Sequence, residues 1–210
     1  MKTHAFLDIP NWDLIAEKIY RWSRIHRSDI YVFPTWAYWN YVDHTALLKY
    51  TPELEQWLGS QNLTVSWMAI LVVYSKDSIP LHIDTIGDVL PPNVELTPDD
   101  PFPNDQGRFR FLCPVKNCHG SATRFFDIPI EDYRSVVCEY EKTAYYAPVT
   151  GHIKDGETNP YKQIGQMELL APSVFDSAVP HDVIPNRDIN GPRISITIAT
   201  KESLRHYLLD

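Results

Sequence analysis

From Arg193 to Ala199 the chain reads RISITIA, an alternation that sets Arg193, Ser195, Thr197 and Ala199 on one face of a strand and Ile194, Ile196 and Ile198 on the other. Such a strand is apolar on one side and carries a cation on the other. In a small barrel the polar face lines the interior, and the isoleucines pack against helices outside. A buried guanidinium left unpaired costs several kcal/mol, so this one demands an anion. Its planar fork matches a carboxylate, and the Ser195 hydroxyl two residues on can add a third hydrogen bond. An Asp or Glu of the same chain would satisfy Arg193 as well as a ligand would.

A second stretch imposes a similar constraint. Leu63, Val65, Trp67, Ala69, Leu71 and Val73 fall on one face of an extended segment, and Met68, Ile70, Val72 and Tyr74 on the other. Both faces are apolar, which describes a central strand covered on each side. Further strands are expected at Pro80 to Thr85, Arg108 to Val115, Ala122 to Ile128 and Gln166 to Ala171, with a turn from Lys116 to Ser121. Trp12, Ile15, Ile19 and Trp22 recur at helical spacing, with Ile25 or His26 next in the series. They predict an amphipathic helix to Arg27 whose Arg21, Arg24 and Arg27 form a solvated face. Thr51 before Pro52 reads as a capped helix start, and Gly59 as its stop. Lys201 to Leu209 reads as a short C-terminal helix. Between Ile30 and Tyr41 the density of rings, interrupted by Pro34, suggests core and loop packing rather than a regular central strand.

Many short strands with few helices favour a mainly β sandwich or barrel carrying its helices outside. The expected layout is one domain over residues 1–210, with helical support over 1–60, a sheet core over 61–200 and a helix over 201–210. Asp88 to Gly107 holds five prolines and reads as a long loop, a candidate lid. The tyrosines at Tyr140, Tyr145, Tyr146 and Tyr161 are candidate substrate contacts.

Composition removes several function classes. A net charge of −8 disfavours duplex nucleic acid, and no Lys/Arg block marks a binding footprint. The longest apolar run, Val65 to Tyr74 with Ser66 inside it, is about half the roughly 20 residues of a membrane span. MKTHAFLDIP lacks the apolar core of a signal peptide, so a cytoplasmic protein is expected. The 3 cysteines, Cys113, Cys118 and Cys138, are too few for a disulfide scaffold, and Cys113, Cys118 and His119 lack the second ligand pair of a structural zinc site.

His82 and Asp84 are two apart on the short strand at Pro80 to Thr85, so their side chains share a face, opposite Leu81 and Ile83. Alone, a His-x-Asp pair is as well explained by a strand-end histidine bonded to a nearby carboxylate. A third ligand from a neighbouring strand, His181, would complete a triangular face. Two imidazoles and one carboxylate so arranged suit non-haem Fe(II) and leave three positions open.

His82-x-Asp84, then His181, then Arg193-x-Ser195 on the last core strand resembles the Fe(II)/2-oxoglutarate-dependent dioxygenase superfamily over roughly Leu63 to Thr200. The resemblance implies a double-stranded β-helix, or jelly-roll, with supporting N-terminal helices. It implies iron held by His82, Asp84 and His181, and 2-oxoglutarate held at its distal carboxylate by Arg193 and Ser195. Arg108, Arg110 or Thr123 could supply a further cosubstrate contact, and Asp182 and Asn186 could orient the metal ligands. Hydroxylation of an unknown small molecule or peptide would follow, with release of succinate and carbon dioxide. Two other readings remain: a non-enzymatic jelly-roll binding or structural module, and a cupin-like metal enzyme that does not use 2-oxoglutarate. Against the second stand the lack of a His-x-His pair and the presence of Arg193 and Ser195.

Overall fold

A computed structural model of the chain describes residues 1–26, 30–32, 37–73, 79–82, 108–129, 133–138, 143–148, 160–186 and 188–209, with backbone alone at 30–32, 37–41, 79, 80, 82, 133–138 and 143–148. In chain order these residues form β1 (His4–Phe6), α1 (Trp12–Ile25), β2 (Ile30–Val32), β3 (Ala37–Val42), α2 (His44–Tyr50), α3 (Pro52–Ser60), β4 (Val65–Val73), β5 (Ile79–His82) and β6 (Phe109–Lys116). There follow β7 (Ala122–Asp127), β8 (Tyr133–Cys138), β9 (Thr143–Pro148), β10 (Lys162–Glu168), β11 (Ser173–Asp176), β12 (His181–Ile184), β13 (Arg193–Thr200) and a 3-10 turn at Arg205–Leu208.

Among the described residues the strands make a seven-stranded sheet, ordered β1-β11-β6-β13-β4-β3-β2, a four-stranded sheet, ordered β10-β7-β12-β5, and the hairpin β8-β9. Every pairing is antiparallel. The chain passes from the larger sheet (β4) to the smaller (β5), back to β6 and again to β7. After the hairpin and β10 it repeats the exchange through β11, β12 and β13. Four strands in each sheet, linked by these crossings, make the jelly-roll that the resemblance implies, and the protein is mainly β.

The alternation on β13 sorts its side chains as expected. Ile194, Ile196 and Ile198 join Met68, Ile70 and Val72 of β4 in one cluster with Ile15 and Ile19 of α1, Leu47 of α2, and Leu54 and Leu58 of α3. The helices therefore cover the outer face of the larger sheet. Each fully buried Ile or Leu there contributes about 1.5–3 kcal/mol. The Trp12 indole N–H, which donates to the Pro114 carbonyl at 2.8 Å, pins the start of α1 to β6. Between the sheets lies a second cluster, with Leu112, Phe125, Met167 and Phe175. β4 is an interior strand flanked by β13 and β3, as its two apolar faces require. Among the described residues no helix is long and apolar enough to cross a membrane.

Several expectations are corrected. The Thr51 hydroxyl does not cap α3: it donates backwards to the Leu47 carbonyl at 2.8 Å, closing α2, a helix too short to show a period in the sequence. α3 runs past Gly59 to Ser60, with Gln61 as its cap and then Asn62, whose φ of 54° places it in the left-handed region. There the Leu63 amide donates to Leu58 and the Asn62 amide to Gly59, a Schellman closure. Ile25, expected on the apolar face of α1, is 72% exposed. Within Ile30 to Tyr41, β2 is the edge strand of the larger sheet and β3 lies between it and β4, with Pro34 in neither strand. β10 begins at Lys162 rather than Gln166, because a register shift between Gln163 and Gly165 disguises its alternation. The C-terminal helix is only a 3-10 turn.

Candidate functional site

His181 on β12 is the register partner of His82 on β5 and, on its other side, of Phe125 on β7. It is 4% exposed. Its ring meets the Phe175 ring edge-on at 5.6 Å and the Phe125 ring at a tilt at 6.0 Å. Nδ1 lies 2.8 Å from the Val179 carbonyl oxygen. A carbonyl only accepts, so Nδ1 carries a proton, and in the neutral ring Nε2 is the nitrogen left to bind a metal.

The larger sheet contributes a buried cation. Arg193 is 6% exposed and Ser195 1%, both on the inner face of β13. Arg193 Nε and Nη1, Ser195 Oγ and, from β7, Thr123 Oγ1 are buried without a hydrogen-bond partner; among the described residues Trp22 Nε1 is the other such atom. No carboxylate among the described residues pairs with Arg193. Its neighbour is Cys118, whose thiol donates to the Ile194 carbonyl at 3.0 Å. Burial pulls the guanidinium pKa below its ordinary value, and Cys118 opposes that shift. Native interiors rarely leave so many polar atoms unsatisfied in one region, and a bound anion would satisfy them together.

Strand register sets the spacing. β6 ends at Lys116, opposite Ile194, and the turn to β7 brings Thr123 to the same end of the sandwich as Arg193. That turn needs left-handed backbone at Asn117 and Gly120, and a Cβ on Gly120 would fall 2.4 Å from the Asn186 amide nitrogen. Phe125, beside His181, is two residues farther along β7, about 7 Å. The arrangement can hold a short chain with an anionic end at Arg193 and its other end near His181.

Other expected contributors are placed elsewhere. Asp182 points away from His181 because it is the next residue on a strand; it takes two hydrogen bonds from Arg124, at 2.9 and 2.5 Å. Asn186 donates to the His119 carbonyl at 2.9 Å and accepts from the Asp188 amide. Neither orients His181. Arg108 is held by Asp176 at 2.9 and 2.8 Å, and Arg110 lies toward the opposite end of β13, so of the three extra cosubstrate candidates only Thr123 lies at the Arg193 end of the sandwich. Tyr161 packs with Leu81, Phe126 and Ile128 on the outer face of the smaller sheet, away from the interior. Cys113 and Cys118 belong to different apolar clusters, and burial pushes the Cys113 thiol up. Asp84, the side chain of His82, Tyr140 and the 88–107 loop lie outside the described residues. Among the described residues no group of three or more His, Cys, Asp or Glu side chains is placed to hold a metal.

No family model matches the sequence, and no curated protein matches it. Among solved structures the chain is similar to the epimerase SnoN in complex with Fe3+, alpha ketoglutarate and nogalamycin RO, at 8% identity and a TM-score of 0.56, covering 95% of this chain and 78% of that one. It is similar also to HygX from Streptomyces hygroscopicus with nickel and 2-oxoglutarate bound, at 11% identity and a TM-score of 0.50, covering 97% and 84%. The likeness shows the fold.

Two contributors were not foreseen in the sequence. The Val179 carbonyl has no residue type to betray it, since any residue carries one. Cys118 was legible only as a possible zinc ligand; its place beside Arg193 depends on the pairing of β6 with β13.

Proposed function

We propose that the protein is an Fe(II)/2-oxoglutarate-dependent oxygenase acting on a small molecule, with hydroxylation as the expected outcome and succinate and carbon dioxide as coproducts. The observation that carries this reading is the buried, unpartnered set of Arg193, Ser195 and Thr123 atoms, about 7 Å along the sandwich from the level of His181. In this reading His82, Asp84 and His181 hold iron, and Arg193 with Ser195 and Thr123 takes the distal carboxylate of 2-oxoglutarate. Complexes of similarly folded proteins with Fe3+ and alpha ketoglutarate, and with nickel and 2-oxoglutarate, support the same pair of cofactors here. The nogalamycin RO in the SnoN complex supports a small-molecule substrate.

When bound, the metal and its cosubstrate supply the oxidation that couples decarboxylation to attack on a C–H bond. The chain supplies position. Arg193 fixes the cosubstrate by charge and by its fork, in a dry setting where that pairing is strong. Ser195 and Thr123 set its rotation, and the Val179 carbonyl keeps His181 in the binding tautomer. Phe125 and Phe175 wall the imidazole and exclude water.

Anaerobic titration with Fe(II) and 2-oxoglutarate, read by the visible metal-to-ligand charge-transfer band of the chelate, tests the reading. A band in wild type that is lost in His82→Ala supports it. Iron binding without the band would instead favour a metal enzyme that does not use 2-oxoglutarate, and no iron binding a non-enzymatic binding module.

A further inference from the structure

The turn between β6 and β7 carries Cys118, whose side chain is buried with Leu112, Phe125 and Met167. That turn is tied down on both flanks of the cysteine. The Asn117 side-chain amide donates to the Pro192 carbonyl at 2.9 Å, one residue before Arg193, and the Asn186 amide donates to the His119 carbonyl at 2.9 Å. The Cys118 carbonyl itself accepts from the Ser121 amide at 3.1 Å and from the Ser121 hydroxyl at 2.5 Å. Cys118 is thus locked in place against the start of β13. A side chain supported in this way is suited to holding another group still.

The thiol lies between two groups of β13. Its S–H donates to the Ile194 carbonyl at 3.0 Å, and its sulfur accepts a hydrogen bond from the Arg193 guanidinium. With the proton directed at the carbonyl, the sulfur lone pairs are what faces the cation. Arg193 keeps Nε and Nη1 without a partner, next to the unpartnered hydroxyls of Ser195 and Thr123. The kind of acceptor matters here. A carboxylate in this place would neutralise the guanidinium and take its fork, whereas sulfur accepts weakly and leaves the cation free to pair with an incoming anion. An apolar residue would leave the guanidinium to be ordered only when the anion arrives, which weakens binding.

We propose that Cys118 is a positioning residue for Arg193: anchored on Ile194, it fixes the guanidinium so that Nε and Nη1 are held ready for the distal carboxylate of the cosubstrate. The proposal rests on the oxygenase reading, which supplies the 2-oxo acid, and adds that preference for a 2-oxo acid with a second carboxylate depends on a residue acting through Arg193.

Anaerobic titration of the purified full chain, with Fe(II) present, by 2-oxoglutarate and by 2-oxobutyrate tests it, read by the charge-transfer band of each chelate. 2-Oxobutyrate chelates a metal in the same way and has no distal carboxylate. In Cys118→Ala the dissociation constant for 2-oxoglutarate should rise about tenfold or more while that for 2-oxobutyrate stays within about twofold. Cys118→Ser, which keeps a donor for Ile194 and an acceptor for Arg193, should stay within about threefold of wild type for both. Should Cys118→Ala fail to fold, Cys118→Val, which fills the space and offers no acceptor, carries the test with the same expectation. Fe(II) affinity by equilibrium dialysis should be unchanged in every variant. Equal weakening of both 2-oxo acids, a parallel loss of iron, or a fall in melting temperature with both affinities unchanged overturns the proposal and marks Cys118 as structural. So does a loss in Cys118→Ser as large as that in Cys118→Ala. If wild type gives no band with either 2-oxo acid, the oxygenase reading fails and this proposal with it; a wild-type band with 2-oxoglutarate whose midpoint is the same in Cys118→Ala overturns this proposal alone.

Discussion

His181 and His82 are register partners on β12 and β5, neighbouring antiparallel strands of the smaller sheet. Residues opposite one another in such a ladder have Cα atoms about 5 Å apart, close enough to serve one metal ion. Far apart in sequence, they become adjacent only because the chain changes sheets on each pass.

His181→Ala and His82→Ala are each expected to abolish Fe(II) binding, measured by anaerobic equilibrium dialysis, while the far-UV circular dichroism of the sheets is kept. Asp84→Ala should do the same. Iron retained at wild-type stoichiometry in His181→Ala would remove that residue from the metal site.

Arg193 allows a prediction with opposite signs for its two possible roles. A buried cation without an anion burdens the ligand-free protein, and replacing it by an apolar side chain of similar length relieves the desolvation cost. Arg193→Met is therefore expected to raise the stability of the ligand-free chain by about 1–2 kcal/mol in urea unfolding while eliminating 2-oxoglutarate binding. If Arg193 were half of an internal ion pair, the same substitution would cost about 3–5 kcal/mol.

What could be read from the sequence was whatever repeats with a period along one element. β13 and β4 declared both their faces through alternation, and α1 its buried edge through Ile15 and Ile19. β1 and β11, with three and four residues, are too short to show a period, and β10 carries a register shift that breaks one. The site was legible where ligands are spaced i and i+2, as Arg193 and Ser195 are. Nearness in sequence misled at Asp182: on a strand the residue next to a ligand faces away from it.

The Arg124–Asp182 pair makes a smaller prediction on the outer face of the same strands. It ties β7 to β12 beside His181, with the Arg124 side chain 29% exposed and that of Asp182 9%. Asp182 raises the guanidinium pKa, so Arg124 stays charged throughout the working range. Asp182→Asn keeps the shape and removes the charge. It should cost about 1 kcal/mol of stability or somewhat more, since the pair is only partly exposed, and weaken Fe(II) binding without abolishing it. Loss of iron equal to that of His181→Ala would make Asp182 a ligand, contrary to its position.

His4 predicts a dependence on pH. Its ring stacks on Phe125 with centroids 5.7 Å apart and planes 8° from parallel, against the ring that also touches His181. Burial lowers its pKa from the ordinary 6.5. The folded state therefore favours neutral imidazole, and below that value the unfolded chain takes up the proton more readily. The contribution is complete above about pH 6.5 and is lost as pH falls through the lowered folded value, so stability rises with pH across that window. His4→Phe keeps a ring on Phe125 and cannot be protonated. Between about pH 7 and pH 5 its melting temperature should fall less than that of wild type, by calorimetry in one buffer series. Equal falls would mean that other groups carry the acid sensitivity and that His4 remains neutral, or becomes protonated, without consequence for the β1 edge.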